Sequence, residues 1–221
     1  MRQKLGVPAC RKHPDGTDFF TLPIIHDSTA ETSVLPSAST SQQQQGIFIG
    51  DSFDIALHLA NKYSRSTEEL DGPPLFPPDS IALHRAFNAH VDSLFSINGV
   101  LLAGYYTPLD PATAEITKAE FVRRIGISRW EDLEIPLGSE MRKEKLAAFG
   151  AALGSGLAVW FVRRDEGPFL EGRTPTYADF IIGGWLQMMR NCLPEWEELR
   201  GWHGGLWGRL HDALEEWAEV L

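Results

Sequence analysis

A proline-rich stretch divides the chain into two parts of different character. Residues 71–79 read Asp-Gly-Pro-Pro-Leu-Phe-Pro-Pro-Asp, with four prolines in nine positions. Each proline fixes φ and lacks a backbone N–H, so such a stretch is stiff and does not continue a helix or a central strand. We therefore predict a linker at 71–79, with one domain before it over 1–70 and a second domain after it over 80–221.

Helical patterns dominate the part that follows the linker. Four apolar residues recur at the spacing i, i+4, i+7 and i+8: Phe87, Val91, Leu94 and Phe95. This spacing places them on one face of a helix. Further along, Thr176 and Asp179 form a capping-box pattern at the start of the apolar run 180–186, which indicates a buried helix ending near Pro194. The domain over 80–221 is predicted to be all-helical.

The part before the linker shows strand patterns followed by one helix. Residues 21–27 and 47–50 are short apolar runs typical of strands, and 53–63 carries a helical apolar face. Between the strands, 12 of the 19 residues of 28–46 are Ser, Thr or Gln. Such a segment buries too little apolar area to offset its ordering entropy, so we expect a disordered loop. Two strands and a helix form the second half of a thioredoxin-like α/β domain.

Composition narrows the classes of partner and the compartment. The 221 residues carry a formal net charge of −10, which disfavours binding to nucleic acid or to an anionic membrane. The longest apolar run is about half the length that a membrane span needs, and no secretory signal is evident. Two cysteines form no disulfide framework, so we expect a reducing, cytoplasmic location. The seven histidines show no metal-binding spacing, and we assign no metal.

Two local features of the first domain together suit a peptide with a free carboxylate. A cis peptide bond at Leu22-Pro23 would turn the backbone N–H and C=O of Leu22 outward, where an extended peptide can pair with them. The helix that starts at Ser52 offers its N–H groups and the Ser52 hydroxyl to an anion. Each feature also has a simpler interpretation, because Leu22-Pro23 can merely begin a strand and Ser52 can merely cap a helix.

Three motifs in order give the chain a resemblance to a known family. They are 14–27 (Pro-Asp-Gly-Thr-Asp-Phe-Phe-Thr-Leu-Pro-Ile-Ile-His-Asp), 50–59 (Gly-Asp-Ser-Phe-Asp-Ile-Ala-Leu-His-Leu) and 167–180 (Gly-Pro-Phe-Leu-Glu-Gly-Arg-Thr-Pro-Thr-Tyr-Ala-Asp-Phe). Together with the proline-rich linker, they resemble glutathione S-transferases, in particular a fungal group related to bacterial etherases and to the ustiloxin-cluster transferases. The resemblance covers nearly the whole chain apart from the Ser/Gln-rich loop.

The resemblance implies which residues hold glutathione. It gives Leu22, ahead of the cis-proline Pro23, two backbone hydrogen bonds to the cysteinyl part of glutathione. It gives Asp51 and Ser52 the γ-glutamyl group, although the family usually has Glu or Gln where this chain has Asp51. Glutathione is thus the expected co-substrate or ligand, and a homodimer is the common assembly of the family.

The resemblance does not supply a catalytic residue. The family begins with a strand, a helix and a strand, and its activating Ser, Tyr or Cys follows the first strand. Residues 1–7 correspond to the helix after those elements, so we expect the chain to lack the first strand-helix-strand. Cys10 is a weak candidate for a reactive thiol.

Four further residues are candidates for contacts with the two substrates. Lys12 and His13 precede the cis-proline and are candidates for the glycyl carboxylate of glutathione, with a solvated loop charge as the simpler alternative. Tyr105 and Tyr106 are candidates for lining an acceptor pocket, with a place in the helical core as the alternative.

Three functional hypotheses remain open from the sequence. The first is a detoxifying transferase that conjugates or transfers glutathione to small hydrophobic or aromatic electrophiles. The second is a non-catalytic protein that binds glutathione or another ligand on the same scaffold. The third is an inactive, truncated gene product.

Overall fold

The fold is described from a computed structural model of the chain. The described residues are 5–12, 16–20, 22–29, 46–63, 74–102 and 109–218. The predicted disordered loop at 28–46 lies outside them except at its ends, and so do residues 71–73 of the predicted linker at 71–79. The chain divides into two compact units, Met1–Gly72 and Pro73–Leu221.

The described residues of the first unit form two small antiparallel sheets and one helix. Strands β1 (Arg11–Lys12) and β2 (Asp18–Phe19) form one pair, and β3 (Ile24–Asp27) and β4 (Ile47–Gly50) form the other. Helix α1 (Ser52–Tyr63) follows β4. The predicted order of strand, strand and helix is observed, and β3 starts three residues after the apolar run does. The β1–β2 pair was not predicted, because two-residue strands carry no readable alternation.

The second sheet and α1 form the small core of this unit. In the β3–β4 register Ile25 faces Ile49 and His26 faces Phe48, and the His26 and Phe48 rings stack at 4.4 Å between centroids. Phe53 and Ile55 are the buried side chains of α1. Helix α1 packs against β4 and begins at Ser52, directly after the strand.

A polar cluster joins β3 to α1. The buried Asp27 carboxylate accepts hydrogen bonds from the Thr29 N–H and hydroxyl at 2.9 Å each. It lies 2.8 Å from Nε2 of His58 and is paired with the ammonium of Lys62, both on α1. The Lys62 and His58 hydrogen bonds hold the pKa of Asp27 well below its usual range. In its ionised form, the Asp27 carboxylate therefore connects the C-terminal half of α1 to β3.

The second unit is helical, as the sequence predicted. Its helices are α2 (Ile81–Ile97), α3 (Ala114–Ile125), α4 (Glu140–Gly156), α5 (Tyr177–Cys192) and α6 (Trp196–Leu214). Four short 3-10 turns occur among the described residues of this unit. Helix α6 is broken at residues 202–205, where His203, Gly204 and Gly205 have positive φ.

Helix α5 runs through the centre of the helical core. Ile182, Leu186 and Met189 are fully buried on it. Its Trp185 ring stacks on Phe95 of α2 at 5.2 Å, and Val91 and Phe95 confirm the apolar face predicted for α2. A β-carbon at Gly183 would lie 2.4 Å from Leu214 Cδ1, so α5 and α6 are in close contact there.

The predicted capping box begins α5. The Thr176 side chain accepts from the Asp179 backbone N–H, and Asp179 Oδ2 accepts from the Thr176 N–H at 2.8 Å and its hydroxyl at 3.1 Å. Asp179 Oδ1 accepts from the Leu170 N–H at 2.8 Å. Asp179 is fully buried, and this burial raises the pKa of its carboxyl. One side chain thus caps the helix and fixes the preceding loop.

A second buried charge, Arg142 on α4, joins distant segments. Its guanidinium makes a bidentate pair with Glu195 at 2.6 and 2.7 Å. It also donates to the carbonyl oxygens of Leu101 at 3.2 Å and Ile135 at 3.4 Å. The paired Arg142 holds the pKa of Glu195 below its usual range. Each of the four hydrogen bonds that this guanidinium donates to the described residues ends on an acceptor oxygen.

We predict that Asp179→Asn lowers the free energy of unfolding by about 2 kcal/mol, because both carboxylate oxygens accept backbone N–H groups. An amide offers one acceptor and turns an NH2 group toward the other buried donor. Chemical denaturation of both proteins measures the difference. Asp165→Asn, on an exposed turn, is the control and leaves the free energy within about 0.5 kcal/mol of the wild type. Equal losses in both variants would contradict the capping role.

We predict that Asp27 stabilises the first unit at neutral pH and loses that effect in acid. Its pKa is lowered in the folded state, so its contribution is complete above the unfolded pKa of about 3.9 and falls as the pH falls below it. Hydrogen exchange of the β3 and β4 amides, measured in wild type and Asp27→Asn, should differ at pH 7 and converge toward pH 2. A difference that is constant over this pH range, or one reproduced by Asp54→Asn, argues against the prediction.

Candidate functional site

The junction of β4 and α1 brings together Asp51 and Ser52, two of the predicted site residues. Asp51 has a φ of 72°. Its Oδ1 accepts from the backbone N–H of Phe53 at 3.0 Å and of Asp54 at 3.4 Å, and its carbonyl accepts from the Ile55 N–H at 2.9 Å. The residue that caps α1 is therefore Asp51, and the simpler interpretation of Ser52 as the cap is wrong.

This cap leaves Ser52 available to a ligand. The Ser52 N–H and hydroxyl make no hydrogen bond to the part of the chain that the structure describes, and the residue is exposed. The positive end of the helix dipole lies at the same place, and it favours a negative charge there. The two capping hydrogen bonds of Asp51 both end on Oδ1, so the carboxylate places a negative charge in the residue next to Ser52. Asp51 and Ser52 together therefore suit a ligand group that carries both a negative and a positive charge.

Leu22 and Pro23 precede β3. The peptide bond between them is cis, as the sequence predicted. The Leu22 residue is 81% exposed, and Ile24, the first residue of β3, pairs with Gly50. Because Gly50 directly precedes Asp51, the register brings the backbone of residues 22–24 near the start of α1. Four predicted binding residues are thus assembled at one end of the β3–β4 pair.

Two further candidate residues that the structure describes, Lys12 and Cys10, make hydrogen bonds at the β1–β2 pair. Lys12 forms an exposed ion pair with Asp18 across the β1–β2 pair, at 2.9 Å. Cys10 donates its backbone N–H to the Phe19 carbonyl at 2.9 Å, and its thiol forms no disulfide. His13, Tyr105 and Tyr106 lie outside the described residues.

The capping role of Asp51 was missed from the sequence, although a signal for it was present. Asp is a preferred N-cap residue and its short side chain tolerates a positive φ, so Asp-Ser ahead of an apolar run indicates that Asp is the cap. A Glu at this position has one more methylene and caps poorly. The capping of α1 therefore accounts for Asp51, whose side chain is shorter than the Glu or Gln that the family usually has here.

Two other kinds of site were sought within the described ranges. No group of three or more His, Cys, Asp or Glu side chains in those ranges is arranged to hold a metal ion. No described helix combines the length and the apolar character that crossing a bilayer requires.

The chain is similar in sequence to known proteins. Residues 82–217 match the family model for the glutathione S-transferase C-terminal domain. The glutathione S-transferase-like protein ustS of Aspergillus flavus is 31% identical over 234 residues, covering 99% of this chain and 74% of that protein. These matches span the helical unit in one case and nearly the whole chain in the other.

Solved structures give the same result. A glutathione S-transferase of Ceriporiopsis subvermispora, CsGST63524, crystallised with glutathione, is 26% identical with a TM-score of 0.77, covering all of this chain and 80% of that one. GSTFuA3 of Phanerochaete chrysosporium shares the fold at 22% identity and a TM-score of 0.71, covering all of this chain and 79% of that one. With its capped α1 after β4 and its all-helical second unit, this chain belongs to the glutathione S-transferase superfamily.

Proposed function

We propose that this chain binds glutathione on its first unit and transfers it to small hydrophobic or aromatic electrophiles. The observation that carries the proposal is the unengaged N–H and hydroxyl of Ser52 beside the capping carboxylate of Asp51. Family membership and the glutathione held by the related CsGST63524 support the choice of ligand.

The two charges of the γ-glutamyl group of glutathione are complementary to Ser52 and Asp51. The γ-glutamyl carboxylate accepts from the N–H and the hydroxyl of Ser52 at the positive end of α1. The α-ammonium of the same group meets the carboxylate of Asp51, so its two charges are recognised by adjacent residues. The cysteinyl part lies alongside Leu22 and Pro23, where the Leu22 backbone pairs with it as an added strand does.

Further proposed contacts lie beyond this group of residues. Lys12 and His13 are proposed for the glycyl carboxylate of glutathione, since both carry donors for an anion. To bind this carboxylate, Lys12 must release Asp18, its partner in an exposed ion pair. Such a pair contributes little to stability. Tyr105 and Tyr106 are proposed to line the acceptor pocket.

The proposed chemistry is nucleophilic transfer by the sulfur of glutathione. The thiol gives its proton to the solvent, and the thiolate forms a carbon–sulfur bond with the electrophilic carbon of the acceptor as the leaving group departs with its electron pair. The protein's part is to hold the peptide and its sulfur in a fixed orientation toward the acceptor. We propose that the protein does this as a cytoplasmic homodimer in detoxification.

We predict that Ser52→Ala weakens glutathione binding about five- to twentyfold, because the γ-glutamyl carboxylate loses a charge-assisted hydrogen bond. Isothermal titration calorimetry of the full chain with glutathione measures the effect. Ser96→Ala, at an exposed position of α2, is the matched control and keeps the wild-type affinity. If Ser52→Ala binds as the wild type does, the proposed carboxylate site is wrong.

We predict that Asp51→Asn weakens glutathione binding about tenfold while α1 stays folded. The amide oxygen retains the cap, whereas the negative charge that meets the α-ammonium is lost. Asp54→Asn removes the same charge from the first turn of the same helix and should not weaken binding.

Measurement of turnover distinguishes a glutathione transferase from a protein that only binds glutathione. Conjugation of glutathione to 1-chloro-2,4-dinitrobenzene by a chain that also binds glutathione supports the transferase. Binding without turnover of this or other aromatic electrophiles favours the non-catalytic function, and absence of binding contradicts both.

A further inference from the structure

A small cavity that the proposed glutathione site does not use opens on α5 of the helical unit. It is lined by α5, by the end of α6 and by the 3-10 turn Glu215–Trp217 that follows α6. A β-carbon added at Gly184 of α5 would meet no atom of the described residues within 4 Å, so the missing side chain leaves this space open. The volume of about 240 Å³ lies below the range of roughly 300–1,000 Å³ that holds drug-sized ligands, which indicates a small occupant.

Two aromatic rings form adjoining walls of this cavity. They belong to Phe180 of α5 and Trp217 of the 3-10 turn, whose ring planes meet at 88° with 6.0 Å between their centroids. Trp217 is also packed edge to face against Phe169 at 6.0 Å. The face of an aromatic ring is electron-rich and attracts cations, and tryptophan does so most strongly. Two rings at a right angle therefore favour a positively charged group over a neutral group of the same size.

Glu215 adds a full negative charge to the lining. Its Oε1 accepts from Nη1 of Arg190 at 2.6 Å, whereas its Oε2 accepts no hydrogen bond from the described residues. Both side chains of this ion pair are about half exposed, so the pair contributes little to stability and leaves the carboxylate open to a second cation. The surrounding sequence is acidic as well, with seven Asp and Glu and two Arg over 195–221. The resulting field favours cations over anions.

The other polar side chains of the lining, His211 and Gln187, are engaged within the protein. Nε2 of His211 lies 2.9 Å from Oε1 of Gln187, and Nδ1 of His211 lies 3.3 Å from Oδ1 of Asp212. Both ring nitrogens of this histidine thus face oxygen atoms of the protein. Leu214 and Ala218 add apolar surface. The described lining is therefore mainly apolar and aromatic, with one accessible carboxylate.

We propose that this cavity binds small quaternary ammonium ions, the class of ligand to which choline belongs. The methyl groups of such an ion cover its charge with apolar surface, so they pack on apolar walls while the charge meets the aromatic rings and Glu215. A primary ammonium is strongly hydrated and has three N–H donors to satisfy, which suits these walls less well. Anions are disfavoured by the charge of Glu215. The site belongs to the helical unit and does not depend on glutathione.

A matched pair of ligands tests the role of the charge, with the full chain at neutral pH, constant ionic strength and no glutathione. Choline carries a trimethylammonium group, and 3,3-dimethylbutan-1-ol has the same shape with carbon in place of nitrogen. NMR titration follows the tryptophan indole N–H signals, and Trp217→Phe identifies the signal of Trp217. We expect choline to shift this signal and to bind about tenfold more tightly than the alcohol. Equal affinities would overturn the recognition of charge, and absence of a saturable shift with choline would overturn the site.

Variants of the lining locate the binding. Gly184→Leu places a side chain in the cavity and should abolish the choline-dependent shift, whereas Gly201→Leu, at an equally open helical glycine outside the cavity, should retain it. Glu215→Gln should weaken choline binding about fivefold and leave the affinity for the alcohol unchanged, a split that general loosening of the fold does not produce. Glu216→Gln, the exposed neighbour outside the lining, is the matched control and keeps the affinity for choline within about twofold. Wild-type choline binding in Gly184→Leu or in Glu215→Gln would contradict the proposal.

Discussion

The buried carboxylate of Asp179 is the interaction on which the helical unit depends. Its two oxygens accept from Leu170 and Thr176, so one side chain fixes the loop before α5 and the first turn of the helix together. The Tyr177 N–H next to it donates to the Leu75 carbonyl, which attaches the beginning of the unit to the same point. Because α5 runs through the core, its start sets the positions of the helices that pack on it.

Local signals in the sequence were enough to predict most of the fold. The capping box and the apolar faces each depend on residues within a few positions of one another, where spacing determines structure directly. The ion pairs that join distant segments have no such signal. Asp27 with Lys62 and Arg142 with Glu195 are 35 and 53 residues apart, and each of these acids and bases has the same appearance in the sequence as an exposed one.

The candidate site could be predicted in part for the same reason. Leu22, Pro23, Asp51 and Ser52 form two adjacent pairs in the sequence, and the β3–β4 register brings the pairs to one end of the sheet. The division of roles within the second pair was missed, because either side chain is a good cap and only the tolerance of Asp for a positive φ distinguishes the two. The positive φ of Asp51 decides it, because this conformation brings the carboxylate back to the N–H groups of Phe53 and Asp54.

Arg142 has a consequence for how the helical unit tolerates change. It binds the carbonyl oxygens of Leu101 and Ile135, which stand where the chain leaves the core after α2 and where it returns before α4. Helix α3 lies between these two carbonyls in the chain, so the hydrogen bonds from Arg142 hold the backbone on both sides of it. Helix α3 buries none of its own side chains. The sequence of α3 can therefore change at less cost to stability than the flanking residues Leu102, Trp130 and Leu133, whose side chains are buried.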